Sequence, residues 1–112
     1  MNYLIIFWDY SIYLAMRIIS KRTLRAFWIR HSDAEDPLLA WYREVEKADW
    51  EGPADVKEKY RSASFVKGNR VIFNIKGNDY RLIVKINYEY RVVYVRFVGT
   101  HAEYDKIDAK EV

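Results

Sequence analysis

Between residues 69 and 104 the chain alternates apolar and polar residues through three successive runs, NRVIFNIK, DYRLIVKIN and VVYVRF, and then enters a helix start. Successive side chains of a strand point to opposite faces, so this pattern predicts three β-strands with one apolar and one polar side. Val71, Phe73, Ile75, Leu82, Val84, Ile86, Val93, Val95 and Phe97 share one side. Asn74, Lys76, Arg81, Lys85, Asn87, Tyr94 and Arg96 share the other, which is therefore wet and cationic. Gly77 and Asn78 tolerate positive φ and make a two-residue turn, which sets Asn74 opposite Arg81, Phe73 opposite Leu82 and Ile72 opposite Ile83. A turn at Tyr90 and Arg91 sets Lys85 opposite Arg96, Asn87 opposite Tyr94 and Val84 opposite Phe97. A slip of one residue in either hairpin would pair apolar with polar positions. Like charges directly across a sheet repel, so Lys85 facing Arg96 suits a surface that receives a polyanion. The blander reading is a solvated face that is basic by chance.

A chain of 112 residues is one domain with a modest core. It has no cysteine, which rules out disulfides and thiolate metal sites. Its two histidines, His31 and His101, are far apart and lack ligand spacing, so neither a metal nor another cofactor is expected. Net charge is only +3, so any argument for an anionic partner rests on where the charges sit. Residues 1–15 differ from the rest, being apolar or aromatic apart from Asp9 and a few polar positions. They lack the basic start and cleavage site of a secretory signal, and they are too short for a spanning helix. Met16 opens a plausible domain start, which predicts a dispensable extension over 1–15 and a domain over 16–112. An extra edge strand or an interfacial anchor is the other reading of the extension.

Arg17, Ile18 and Ile19 read as a short first strand, and Ser20 as the cap of a helix with Leu24, Phe27 and Trp28 on its apolar side. Lys21, Arg22, Arg25 and Arg30 lie opposite, and they extend the basic character of the sheet. Ser32 with Glu35 has the spacing of a capping box before a second helix through Leu38, Trp41, Tyr42 and Val45. Pro53 marks the start of a short helix, and Ser64 to Val66 can add a strand. The fold class is α+β, with two N-terminal helices on one face of a small antiparallel sheet and a short C-terminal helix. Thr100 with Glu103 is a second capping box, which puts His101 and Tyr104 in the first turn of that last helix. With Thr100 level with Arg81, the residues His101, Tyr104, Arg81, Asn74 and Lys76 converge at one end of the wet face. The charged tail from Lys106 to Val112 is expected to fray.

An imidazole, a phenol and guanidinium groups around one spot meet the needs of metal-free RNA cleavage. One group takes the proton of a ribose 2′-hydroxyl and another protonates the departing 5′-oxygen, each worth about 10²–10⁴-fold. Fixed positive charge holds the crowded phosphate, and loss of one such donor typically costs about 2.7–4 kcal/mol of barrier. Arginine suits that place because it stays charged and binds phosphate with two parallel hydrogen bonds.

The segments MRIISKRTLRAFW, PLLAWYREVEKADW, FNIKGNDYRLIVKINY and VRFVGTHAEYDKI resemble the HigB family of bacterial toxins, in the RelE-like superfamily of messenger-RNA interferases. The resemblance runs from Met16 to about Asp108. It implies cleavage of mRNA in the ribosomal A site, inhibition of translation and growth, and a cytoplasmic location. It also implies a HigA-like helix-turn-helix antitoxin as partner, with DNA engaged only through that antitoxin and no membrane involved. The positions matching the superfamily's catalytic residues are Lys76, Arg81, Arg96, His101 and Tyr104. Either His101 or Tyr104 is the base, Arg81 and Arg96 hold the phosphate, and Asn74, Lys85, Lys21, Arg22 and Arg25 contact RNA. Two rivals remain at this level. One is a non-catalytic module that holds RNA on the same face; the other, compatible with the enzyme reading, is a domain that docks an acidic antitoxin segment there.

Overall fold

The computed structural model describes residues 15–112. Strand β1 (Arg17–Ile19) leads into α1 (Lys21–Arg30), and a single 3-10 turn (Ser32–Ala34) joins α1 to α2 (Glu35–Lys47). A short helix, α3 (Pro53–Lys59), precedes β2 (Ser64–Val66), β3 (Arg70–Ile75), β4 (Tyr80–Asn87) and β5 (Val92–Thr100). Helix α4 (His101–Tyr104) follows β5 without a loop. The five strands form one sheet in the order β1-β5-β4-β3-β2, antiparallel except for β1, which lies parallel to β5. Residues 1–14, where most of the apolar extension falls, lie outside the described residues. Among the described residues no helix is long and apolar enough to cross a membrane.

One sheet face carries the core. Leu24, Phe27 and Trp28 of α1 and Leu38, Trp41 and Val45 of α2 are buried, as their helical spacing requires. They cover Val71, Phe73, Ile75, Leu82, Val84, Ile86 and Val93. Phe73 is the centre of this packing, with the rings of Tyr60, Trp41 and Trp50 at 5.0, 5.5 and 6.3 Å from it. The first hairpin has the expected register, with Asn74 opposite Arg81 and Ile72 opposite Ile83.

The second hairpin departs from expectation. Its strands end at Asn87 opposite Val92, so the turn centres one residue earlier, with positive φ at Arg91. Lys85 therefore faces Tyr94, not Arg96, and no like-charge pair forms. Val84 then pairs with Val95 and Ile83 with Phe97, which leaves Arg96 as the extra residue of a β-bulge. Past the bulge the parity of β5 flips: Phe97 joins Ile83 on the second face, and Val98 packs against the core. Thr100 consequently stands opposite Tyr80, and Gly99 opposite Arg81.

The second face is not wet throughout. Ile72 (6% exposed) and Ile83 (0%) are buried but lie outside the helix-side core. The chain beyond α4 turns back over this face, with Ile107, Ala109 and Val112 half-buried. Its end is held where Arg70 Nε donates to the Val112 carbonyl at 2.7 Å. The tail expected to fray is thus a strap over an apolar row, and the charges that suggested fraying alternate with the residues that hold it down.

Two caps also differ. The Ser32–Glu35 capping box does not form, because the chain winds directly from the 3-10 turn into α2. The Ala34 and Glu35 N–H groups donate to the backbone carbonyls of His31 and Ser32 instead. Ser20 occupies the N-cap of α1 without a side-chain hydrogen bond.

Candidate active site

The junction of β5 and α4 is rigid for a local reason. Thr100 Oγ1 accepts from the Glu103 N–H at 3.1 Å, and the Thr100 N–H donates to Glu103 Oε1 at 2.8 Å. This reciprocal cap satisfies two donors that a four-residue helix would otherwise leave to solvent. Hydrogen bonding from the Thr100 backbone holds the Glu103 carboxyl below its usual range, with a smaller contribution from Arg30 and His31. The cap also orients the turn, so His101 and Tyr104 meet edge to face with ring centroids 6.4 Å apart.

Arg81 reaches this turn from β4. Its guanidinium carbon lies 5.6 Å from the Tyr104 ring centroid, within cation–π range. Two hydrogen bonds steady it from the other side, Nη1 to the Asn78 carbonyl at 3.0 Å and Nη2 to Asn78 Oδ1 at 2.8 Å. Across from Arg81 stands Gly99, where a Cβ would come within 2.5 Å of the Phe97 ring and 3.0 Å of the Glu103 carboxylate. Asn74, the half-buried partner of Arg81 on β3, completes the group.

His101 is half exposed, and its Nδ1 lies 3.2 Å from Asp105 Oδ2. With Nδ1–H donating to that carboxylate, Nε2 is left as the accepting nitrogen. Asp105 escaped the sequence reading, although its spacing from His101 at the start of a helix was the available signal. Asn78 escaped it as well, having been read only as a turn residue.

Lys76 does not join the cluster. Positive φ at Lys76 (53°) takes it out of the strand pleat, and its ammonium pairs with Asp33 at 3.0 Å and Asp79 at 3.2 Å. The same Asp33 accepts a short hydrogen bond from the Tyr80 hydroxyl. That bond, and then the one from Lys76, hold the Asp33 carboxyl below the ordinary range. The Asp33 carboxylate, in the turn between α1 and α2, draws Lys76 toward the helix layer.

Arg96 and Lys85 are exposed on the cationic face but nearer its opposite end, beside Tyr94. Lys21, Arg22 and Arg25 are apart again. They line a shallow hollow on the helix layer, and Lys21 Nζ sits 5.2 Å from the Tyr42 ring centroid. A cavity of about 560 Å³ between α2 and α3 is lined by Glu44, Asp49, Asp55 and Glu58 with Lys47 and Lys59, a balance that disfavours a polyanion. Among the described residues no three His, Asp or Glu side chains gather as metal ligands. Among the described residues, Arg81, His101 and Tyr104 bring a guanidinium, an imidazole and a phenol together at one exposed turn on the cationic face.

Residues 34–107 match the family described as HigB toxin, the RelE-like toxic component of a toxin-antitoxin system. The mRNA interferase toxin HigB of Escherichia coli (strain K12) is 26% identical over 92 residues, covering 80% of this chain and 88% of that protein. The mRNA interferase HigB of Escherichia coli O6:H1 is 27% identical over 94 residues, covering 82% and 91%. Among solved structures, a chain of the archaeal RelE-RelB complex from Pyrococcus horikoshii OT3 shares the fold, with a TM-score of 0.50 and 17% identity over 77% of this chain and 94% of that one. The family match spans well over half of the chain and takes in β3 to β5 and α4, so the chain belongs to the RelE-like HigB toxins, the toxic components of toxin-antitoxin systems.

Proposed function

We propose that this toxin is a metal-independent mRNA endonuclease whose chemistry is carried by His101, Tyr104 and Arg81. The observation that carries the reading is the gathering of imidazole, phenol and guanidinium at one exposed turn, with Asp105 holding the imidazole and Asn78 the guanidinium. His101 Nε2 takes the proton of the ribose 2′-hydroxyl, whose oxygen attacks the adjacent phosphorus. The bond from phosphorus to the 5′-oxygen breaks, and the Tyr104 hydroxyl gives that oxygen its proton. The products are a 2′,3′-cyclic phosphate and a 5′-hydroxyl end. Arg81 neutralises the extra charge that the phosphate acquires on the way.

Arg96, Lys85 and Asn74 extend the same face and fit contacts to the flanking RNA. Lys76 matches a catalytic position by family resemblance, and its pairing with two carboxylates favours a part in holding the hairpin. The names of the Escherichia coli relatives support mRNA as substrate, and cytoplasmic cleavage in the ribosomal A site follows from the same resemblance. A HigA-like antitoxin with a helix-turn-helix domain is the partner that fits, and an acidic segment of it over the cationic face would silence the site. The test is growth on induction together with a purified-protein assay on free mRNA and on ribosomes carrying mRNA. His101→Ala and Arg81→Ala should relieve toxicity and leave the protein folded. A 2′-deoxy substitution at the cut position should abolish cleavage there, whereas cleavage of the substituted strand would overturn the mechanism.

A further inference from the structure

The cationic face holds a second hollow, separate from the Arg81 group. Its volume is about 560 Å³, within the roughly 300–1,000 Å³ typical of small-ligand sites. Asn69, Lys85, Asn87, Tyr94 and Arg96 line it, at the end of β4 and β5 next to the loop of residues 88–91. The hollow owes its form to the irregularities of the second hairpin. Tyr94 stands opposite Lys85, and the bulge leaves Arg96 without a partner across β4, so a ring and two cations border one space. Asn87 Oδ1 accepts from the Tyr90 N–H at 3.0 Å, which leaves the amide NH₂ as a donor. Tyr94 is 37% exposed, a large ring open to solvent beside two cations and two amides at this end of the face.

We propose that this hollow is a nucleotide subsite. It takes one unpaired base of single-stranded RNA stacked on Tyr94, with the adjoining backbone phosphate on Lys85 and Arg96. The proposal rests on the RNA-cleaving reading above and extends it to where the substrate is held. Every base has a π-face, so an exposed ring beside a basic groove is the general device for holding single strands. Asn69 and Asn87 supply amides for the base edge. Glu89, the acid on the rim, disfavours a second phosphate there and leaves the Lys85 and Arg96 side as the place for one. Arg96 lies three residues along β5 from Gly99, and Lys85 four along β4 from Arg81. At about 3.4 Å per residue those offsets are roughly 10 and 14 Å, and the C-terminal strap over Ile72 and Ile83 lies between the two places, so an oligonucleotide that reaches both passes around it.

Binding of a fluorescein-labelled, 2′-O-methyl single-stranded RNA hexamer tests this by anisotropy, since that RNA lacks the attacking hydroxyl and stays intact. Tyr94→Ala should weaken binding about 5- to 150-fold, the equivalent of about 1–3 kcal/mol of stacking. Tyr94→Phe, which keeps the ring, should bind like the parent protein. Lys85→Ala should reduce the slope of log K against log salt by about 0.7, one phosphate contact on a single strand. If Tyr94→Ala fails to fold by circular dichroism, Lys85→Ala at its exposed position carries the test alone. Folded Tyr94→Ala and Lys85→Ala proteins that hold RNA as tightly as the parent, with the same salt slope, would overturn the subsite. So would variants that lose affinity only for an acidic antitoxin peptide. Loss of binding in Tyr94→Ala alongside a parent protein that cuts no mRNA, either free or on ribosomes, would uphold the subsite and defeat the nuclease reading. Normal cutting and binding by both variants would defeat the subsite alone.

Discussion

His101 makes its case through its neighbours. A lone histidine at a helix start is commonly only solvated, and here Asp105 fixes one ring nitrogen while Tyr104 and Arg81 stand on the other side of the turn. His101→Ala should lower cleavage about 10²–10⁴-fold, and Arg81→Ala about 10²–10³-fold. Both should leave unfolding free energy within about 0.5–1 kcal/mol of the parent, because neither side chain is part of a core. Parallel cleavage assays and urea unfolding separate these effects from misfolding. Asp33 gives a prediction of another kind. Its folded-state carboxyl is depressed, first by the Tyr80 hydroxyl and then by Lys76, so its contribution is present above the ordinary carboxylate range. That contribution is lost as pH falls through the depressed value. Asp33→Asn should therefore be less stable than the parent near neutrality, and the gap should close in acid; a constant gap would contradict the pairing. From sequence, His101, Tyr104 and Arg81 were legible because a capping box and a hairpin register place them. Lys76 was misplaced because Asp33, 43 residues earlier in the chain, and Asp79 together draw it away.

Among the elements, the register of the first hairpin was legible, since only one register pairs apolar with apolar, although positive φ falls on Lys76 and Gly77 and not on Asn78. The second was legible only in part. Its turn has no glycine, and period-two counting assumes an unbroken pleat, which the bulge at Arg96 breaks. One extra residue moved Phe97 to the far face and, with it, part of a second apolar row. The C-terminal strap covers that row, and charged residues at Lys106, Asp108, Lys110 and Glu111 hid this in the sequence. Truncation after residue 106 should expose Ile72 and Ile83 and cost about 1.5–3 kcal/mol in chemical unfolding. Phe73→Ala, at the centre of the helix-side core, should cost more, about 3–5 kcal/mol. A truncated protein as stable as the full chain would mean that the strap covers nothing of consequence.

Across the whole molecule, charge is unevenly placed, with a second basic cluster of Lys21, Arg22 and Arg25 on the helix layer. Arg81, Lys85 and Arg96 face one side, and the acidic cavity between α2 and α3 lies on the other. A net charge of +3 understates this unevenness, because acids and bases cancel in the sum but not in space. Three phosphates held on one face predict a salt slope of about −2 for single-stranded RNA, measurable by anisotropy across an ionic-strength series. A slope near zero would mean that the cationic face does not receive the backbone. The central claim, however, concerns chemistry. Mapping of mRNA 5′ ends after induction of the toxin, with the parent protein and with His101→Ala, tests it most directly. New 5′-hydroxyl ends within messages, present with the parent and absent with His101→Ala, are the predicted result. Growth arrest without new ends, or the same ends with His101→Ala, would contradict it.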